Sequence, residues 1–266
     1  MLNRIREKLE PVRRIQSTNL WEKIKLIALL VKNKFDKKNV PLNMIADVGG
    51  IKYKLIDLES LFLTSPRYEE YMSDYLAPIK DNVFIDIGAH IGKYALRFAK
   101  LVGPCGKIIA IEADPFNFEA LVAGIEMNKF NNITALNIAA FDRECNLSMY
   151  IAPLEGRTPE GFCFGKGMSS IKWKNGRQKC IQVKAEPLDK IVNDSGLSRI
   201  DFVKIDVEGV EYEVLRGSHK TLEEYKPKVI VECTEKLTKV LQFMSDLGYN
   251  SKLIAPNYYF FEPISK

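Results

Sequence analysis

The sequence is poor in the residues that build metal centres and disulfide scaffolds. It holds two histidines and five cysteines in 266 residues, and the cysteines (Cys105, Cys145, Cys163, Cys180 and Cys233) are scattered, odd in number and without a C-x-x-C pair. This argues against a disulfide framework, gives no metal site, and points to reduced thiols in a cytoplasmic compartment. Long apolar runs are also missing. The longest early one, Leu26 to Val31, falls far short of the roughly 20 residues that span a bilayer. The start, Met1-Leu2-Asn3-Arg4, lacks the apolar core and small-residue cleavage site of a secretory signal, so none is expected. There is no internal repeat and no low-complexity segment. With 46% hydrophobic residues, disorder is not expected as the dominant state, and the length suits one large core.

A dinucleotide fingerprint, G-x-G-x-x-G, is absent as well. In its place stands Asp86-Ile87-Gly88-Ala89-His90-Ile91-Gly92, following the apolar run Val83-Phe84-Ile85. That run reads as a buried parallel strand, and Gly88 and Gly92 permit a tight turn into a helix near Lys93-Tyr94, where backbone can approach a ligand. A second strand, Lys107 to Glu112, follows at βαβ spacing and brings a carboxylate to the same sheet edge, where it can accept ribose hydroxyls. An acid where pyrophosphate would lie disfavours a phosphate ligand and a nicotinamide oxidoreductase. S-adenosylmethionine, with its ammonium and sulfonium, fits that charge.

The remaining pattern alternates in the Rossmann manner. Residues 41–80 read as a small adaptor, with Gly49-Gly50 and Ile51 to Leu55 as a short hairpin and a helix over Tyr68 to Leu76. After the first two core strands come a helix at Pro115 to Asn128 and a third strand at Ile133 to Ile138. Strands at Asn146 to Ala152, Ser170 to Lys174 and Cys180 to Lys184, joined by the loop Gly161 to Gly167, predict a β insertion before the fourth core strand. The alternation resumes with a strand at Asp201 to Asp206, a helix at Val210 to Glu224, a strand at Lys228 to Cys233 and a helix at Glu235 to Leu247. Ser251 to Ala255 and Tyr258 to Glu262, flanking Pro256-Asn257, predict an antiparallel terminal hairpin.

Charge is uneven. Residues 1–40 carry eleven Lys and Arg against four Asp and Glu, a balance of +7 in a chain of net +5, which leaves −2 for the rest. Helical patterns at Ile5, Leu9, Val12, Ile15 and at Leu20, Ile24, Ile27, Val31 are mixed with these bases, and Pro11 interrupts the first. The arm reads as a helical cap on the catalytic part, or as an attachment to the anionic inner face of a membrane.

From about Asn82 to Leu247 the chain resembles the FkbM-type S-adenosylmethionine-dependent methyltransferases. The resemblance rests most on Lys204-Ile205-Asp206-Val207-Glu208-Gly209-Val210-Glu211 with Val214-Leu215-Arg216-Gly217, then on Gly167-Met168-Ser169-Ser170-Ile171, Pro187-Leu188-Asp189 and Pro227-Lys228-Val229-Ile230-Val231-Glu232. It implies an α/β, Rossmann-like class I fold with a seven-stranded, mostly parallel sheet whose last strand is antiparallel. It also implies O-methylation of hydroxyls on sugars, glycans or other small natural products. His90 stands where the family often has Asn. The first eighty residues share no pattern with it, so the chain divides into a basic extension with adaptor (1–80) and a methyltransferase domain (81–266).

Candidate roles follow from consecutive strand ends lining one crevice. Asp86, Gly88, Ala89, His90 and Gly92 hold the amino-acid end of the cofactor, and Glu112 holds the ribose. Ala113, with Phe116 nearby, and Asn137 to Ala139 with Asp142 flank the adenine. Asp206 meets the cofactor ammonium or the acceptor hydroxyl, and Asp206, Glu208 or His90 serves as base. Glu208 can equally act as a carboxylate at a helix N-terminus, while Glu211 is expected to be structural. Two other classes remain open: a nucleic-acid methyltransferase, suggested by the basic arm, and a non-catalytic cofactor-binding scaffold.

Overall fold

The computed structural model describes residues 41–65, 69–75, 80–151 and 179–264. The basic arm, the loop Gly161 to Gly167 and the expected strand Ser170 to Lys174 lie outside them. Alternating apolar residues on either side of Gly49-Gly50 form an antiparallel hairpin, β1 (Pro41–Val48) and β2 (Ile51–Asp57). A short helix, α1 (Leu58–Leu63), follows, its start fixed by a reciprocal capping box between Asp57 and Ser60. The hairpin is part of the main core: Tyr53, Leu55 and Leu61 pack with Leu96 and Leu121, and the Asn128 side chain exchanges hydrogen bonds with the backbone of Lys52.

The strand β3 (Val83–Ile87) is buried at every position, as a central parallel strand must be. It is followed by α2 (Lys93–Val102), β4 (Lys107–Ile111), α3 (Pro115–Asn128) and β5 (Ile133–Leu136). The boundaries of α3 match the sequence expectation, because Asp114 caps Phe116 N–H and Pro115 opens the first turn. Three strands, β6 (Ala139–Ala140), β7 (Cys145–Ile151) and β8 (Lys179–Glu186), then make a separate sheet in the order β6-β8-β7. This sheet is the described part of the expected insertion. The chain continues through α4 (Leu188–Ser195), β9 (Phe202–Ile205), α5 (Glu211–Arg216), α6 (His219–Tyr225), β10 (Lys228–Glu232), α7 (Leu237–Asp246), β11 (Tyr249–Ala255) and β12 (Tyr258–Pro263). The main sheet runs β11-β12-β10-β9-β3-β4-β5, with β12 antiparallel to both neighbours. Apolar clusters cover its two faces. No helix among the described residues is long and apolar enough to cross a membrane.

Three local expectations are corrected. The helix expected over Val210 to Glu224 is two helices, broken at Gly217-Ser218. There the backbone passes so close to Phe141 that a Cβ on Gly217 would lie 2.0 Å from the Phe141 carbonyl oxygen. The second helix starts under the carboxylate of Asp189, which accepts from Lys220 and Thr221 N–H at 3.1 and 2.8 Å. The third core strand stops at Leu136, because the Asn137 side chain turns to the carbonyls of Glu112 and Ala113. Within Tyr68 to Leu76 the described residues form a 3-10 turn, Glu70–Asp74, entered by Glu69 at φ +57°. Bonds from distant side chains, not helical periodicity, hold that segment.

Candidate active site

A cleft of about 390 Å³ opens at the C-terminal ends of β3, β4, β9 and β10, where ligands bind in open parallel sheets. The loop after β3 leans over β4, since Gly88 and Ala89 N–H both donate to the Ile111 carbonyl at 2.9 and 3.0 Å. The turn leaves His90 at φ +52°. Glu112, after β4, is buried and fastens the turn: one carboxylate oxygen accepts from His90 N–H at 2.7 Å, the other from Asp114 N–H at 2.8 Å. Burial pushes Glu112 up to about 7.

Among the candidates from the sequence, the cleft brings together Gly88, Ala89, His90, Glu112, Ala113, Ala139, Asp206 and Glu208. It does not include Asp86, Gly92, Asn137 or Asp142 in its lining. Asp86 is fully buried behind the turn, its carboxylate accepting from Ala95 N–H at 3.1 Å and standing 3.6 Å from Lys204 Nζ. Gly92 begins α2 and packs against Leu96 and Leu121. Asn137 braces two strand ends, and Asp142 pairs with Arg143 and Arg216 at 3.1 and 3.2 Å. Phe116 is exposed and lines a separate apolar groove with Leu42 and Leu55, whereas Met149 of β7 supplies apolar wall to the cleft.

Strand β9 carries the charge that organises the site. Lys204 is 3% exposed, 3.1 Å from Asp206 and 5.4 Å from the centre of the Tyr94 ring. Burial opposes its charge, but Asp206 and then Asp86 hold its pKa above the ordinary lysine value. Asp206 in turn is kept low: burial raises it, and Lys204 overcomes that effect. Carboxylate oxygens of Asp206, Glu208 and Glu232 lie within 4.8 Å of one another. Burial and then Asp206 push Glu208 up to about 8 and Glu232 up to about 9. Glu211 accepts from Gly209 N–H at 2.7 Å, in the turn that precedes the helix. His90 Nε2 is buried with no hydrogen-bond partner, and burial lowers the ring's pKa, keeping the imidazole neutral.

Four groups escaped the sequence reading: Glu69, Lys93, Tyr94 and Lys204. Glu69 accepts from Lys93 Nζ at 2.8 Å and Tyr94 Oη at 2.6 Å, and Tyr258 Oη lies 2.8 Å from both Glu69 and Glu232. Glu69, Lys93 and Tyr94 carry no local signal, because separate segments of the chain meet there. Lys204 did leave one: it is a charge inside the apolar run Phe202-Val203-Ile205.

The cleft's lining is rich in carboxyl groups. Six carboxyl residues (Glu59, Glu69, Glu112, Asp206, Glu208 and Glu232) face Lys93 and Lys204, and both lysines are held in ion pairs. Such a lining fits a ligand with cationic ends and a neutral ribose; it does not fit a pyrophosphate. Together with the seven-stranded sheet and its antiparallel β12, it defines an S-adenosylmethionine-dependent methyltransferase of class I fold. Comparison with known proteins narrows this further. A family model described as the methyltransferase FkbM domain matches residues 86–251, and the chain belongs to that family. It is 28% identical over 204 residues to the methyltransferase sdnD of Sordaria araneosa, covering 69% of this chain and 78% of that one. It is 27% identical over 148 residues to the 2-O-methyltransferase NoeI of Sinorhizobium fredii, covering 53% and 59%. A solved methyltransferase FkbM from Methylobacillus flagellatus superimposes with a TM-score of 0.49 at 15% identity, over 98% of this chain and 59% of that one.

The raised carboxyls set a pH dependence. Asp86 at about 6, Glu112 at about 7, Glu208 at about 8 and Glu232 at about 9 all exceed their ordinary values of 3.8 or 4.5. The native state therefore holds more protons than the unfolded chain across this range, and the stability so contributed, complete below the ordinary values, is lost as pH rises through 6 to 9. Asp206 works in the opposite sense on the acid side of 3.8, and His90, held neutral by burial, does so below its ordinary 6.5, one group against four. The unfolding temperature of the free protein is expected to be highest near pH 5 and to fall toward pH 8; scanning calorimetry showing a rise over that interval would contradict this.

Proposed function

We propose that the acceptor is a hydroxyl group on a neutral sugar, glycan or other small natural product, methylated on oxygen. The convergence of Asp206, Glu208 and Glu232 in the lining of the cleft carries this reading, since carboxylates there can accept a hydroxyl proton and hydrogen-bond neighbouring hydroxyls. NoeI, a relative, is a 2-O-methyltransferase, which supports the same atom. Gly88, Ala89, His90, Glu112 and Ala113 would hold the cofactor, with Asp86 and Gly92 fixing the turn from behind. When bound, S-adenosylmethionine supplies a methyl carbon activated by a sulfonium leaving group. The protein's part is to align the acceptor oxygen in line with that carbon, keep the cleft dry and take the hydroxyl proton onto a carboxylate, Asp206 or its neighbour Glu232. The division into an N-terminal extension (1–80) and a catalytic domain (81–266) belongs to this reading. A nucleic-acid acceptor is disfavoured, because the two lysines of the cleft are already paired with carboxylates and phosphates would face the remaining acids.

A screen with methyl-labelled S-adenosylmethionine against neutral sugars, phosphorylated sugars and RNA tests the proposal. Label is expected on neutral hydroxyl acceptors. Asp206→Asn is expected to lower turnover by about 10²–10⁴-fold; full activity in that variant would remove Asp206 from the mechanism.

A further inference from the structure

Glu69, Tyr258 and Glu232 form a row of oxygens that contains too few protons to be satisfied if both carboxyls are ionised. Register places Tyr258 of β12 opposite Glu232 of β10, and the phenol oxygen lies 2.8 Å from Glu232 on one side and 2.8 Å from Glu69 on the other. The phenol therefore makes two oxygen-to-oxygen contacts and brings one proton. Ionised carboxylates only accept, so one of the two carboxyls must carry a proton. Glu69 is already paired with Lys93 and accepts from Tyr94. Among the described residues no ion pair reaches Glu232, whose neighbour Asp206 has a carboxylate oxygen within 4.8 Å. The proton therefore sits on Glu232, directed at Tyr258.

We propose that Glu232 is protonated in the free protein and that arrival of the cationic methyl donor expels this proton, so that the base for the acceptor hydroxyl exists only in the loaded enzyme. This rests on the reading of the cleft as the cofactor site. The groups facing Glu232 are Asp206 and Glu208 from the turn after β9, Tyr258 from β12, and Glu69 and Tyr71 from the segment around the 3-10 turn, with Lys204 beyond Asp206. Burial, Asp206 and Glu208 favour the neutral acid. A positive charge within about 4–6 Å lowers a carboxyl pKa by about 1–3, enough to release a proton near neutrality from an acid standing at about 9. The bond changes balance: Glu232 loses H⁺ to solvent on donor binding, and an equivalent vacancy in the Asp206–Glu232 pair later receives the acceptor's hydroxyl proton.

The test is calorimetric titration of the full chain with S-adenosylmethionine at pH 7.5, in phosphate and in Tris, whose ionisation enthalpies differ. Wild-type protein is expected to release about half to one proton per cofactor bound. S-adenosylhomocysteine, which lacks the sulfonium charge, is expected to release less. Glu232→Gln is expected to bind while releasing clearly less than the wild type, the remainder coming from Glu208 and Glu112; release equal to wild type would overturn the proposal. Should that variant not fold, Tyr258→Phe serves, because loss of the phenol contact moves the pH of half-maximal release, and an unmoved value would overturn the proposal. Binding with equal heat in both buffers would overturn the proposal and leave the cofactor site standing. Release that requires added Mg²⁺ would overturn it as well, by putting a metal ion where the donor's charge was expected. No binding to folded protein would overturn both the site and the proposal.

Discussion

Lys204→Met is expected to destabilise the protein by about 3–5 kcal/mol, the cost of removing one partner from a buried ion pair. Methionine has nearly the shape of the lysine stem, so the substitution leaves little cavity and isolates the charge. Lys204 and Asp86 are both buried, at 3% and 0% exposure, and the ammonium stands 3.6 Å from Asp86 and 3.1 Å from Asp206. Without it, Asp86 has the Ala95 N–H to stabilise its charge and must either remain a buried anion or bind a proton. Protonation relieves the burial cost, so the deficit should be smaller at pH 5 than at pH 8. Urea unfolding at the two pH values measures this. A loss under about 1 kcal/mol, equal at both, would show that Lys204 is not what compensates these carboxylates.

Gly88→Ala is expected to cost about 2–5 kcal/mol and to abolish cofactor binding. Its Cβ would stand 1.8 Å from the Asp206 carbonyl oxygen and 2.9 Å from the carbonyl carbon. Those are backbone atoms at the end of β9, which cannot swing aside as a flexible side chain can. Overpacking contributes about 1–3 kcal/mol, and the φ of +77° adds about 1–2 kcal/mol for a residue with a Cβ. The sequence suggested that this glycine lets backbone approach a ligand; the structure gives it another duty, which is to let two adjacent strand ends touch. Gly196→Ala is the control, since φ is +58° there and nothing lies within 4 Å of the new Cβ. It should lose about 1–2 kcal/mol. Thermal unfolding of the two variants, with calorimetric titration of S-adenosylmethionine, separates strain from collision. Equal losses would mean that the contact with Asp206 yields.

Legibility in the sequence follows the range of the interactions. The buried strand Val83–Ile87 and the helix Pro115–Asn128 are set by local signals, an apolar run in one case and an Asp-Pro start in the other. The break at Gly217 is set by a carbonyl of Phe141, seventy-odd residues away in the chain, so a continuous helical pattern gave no warning. Glu112 and Asp206 were readable because each ends a core strand. Asp86 also lies in a core strand, but its carboxylate is taken up behind the turn by Ala95 N–H and Lys204. Tyr258 became part of the site only through the antiparallel pairing that sets it against Glu232.

The bonds of Glu69 also set an order of assembly. Those to Lys93 and Tyr94 span 24 and 25 residues, but that to Tyr258 spans 189. Closing so long a loop has an entropic cost that must be met before the contact contributes. The turn after β3 can therefore take shape while the terminal hairpin is still undocked, and the side of the cleft that carries Tyr258 is completed last. In native-state hydrogen exchange, the amides around Glu69 and Tyr258 should open together, ahead of those in β3 and β4.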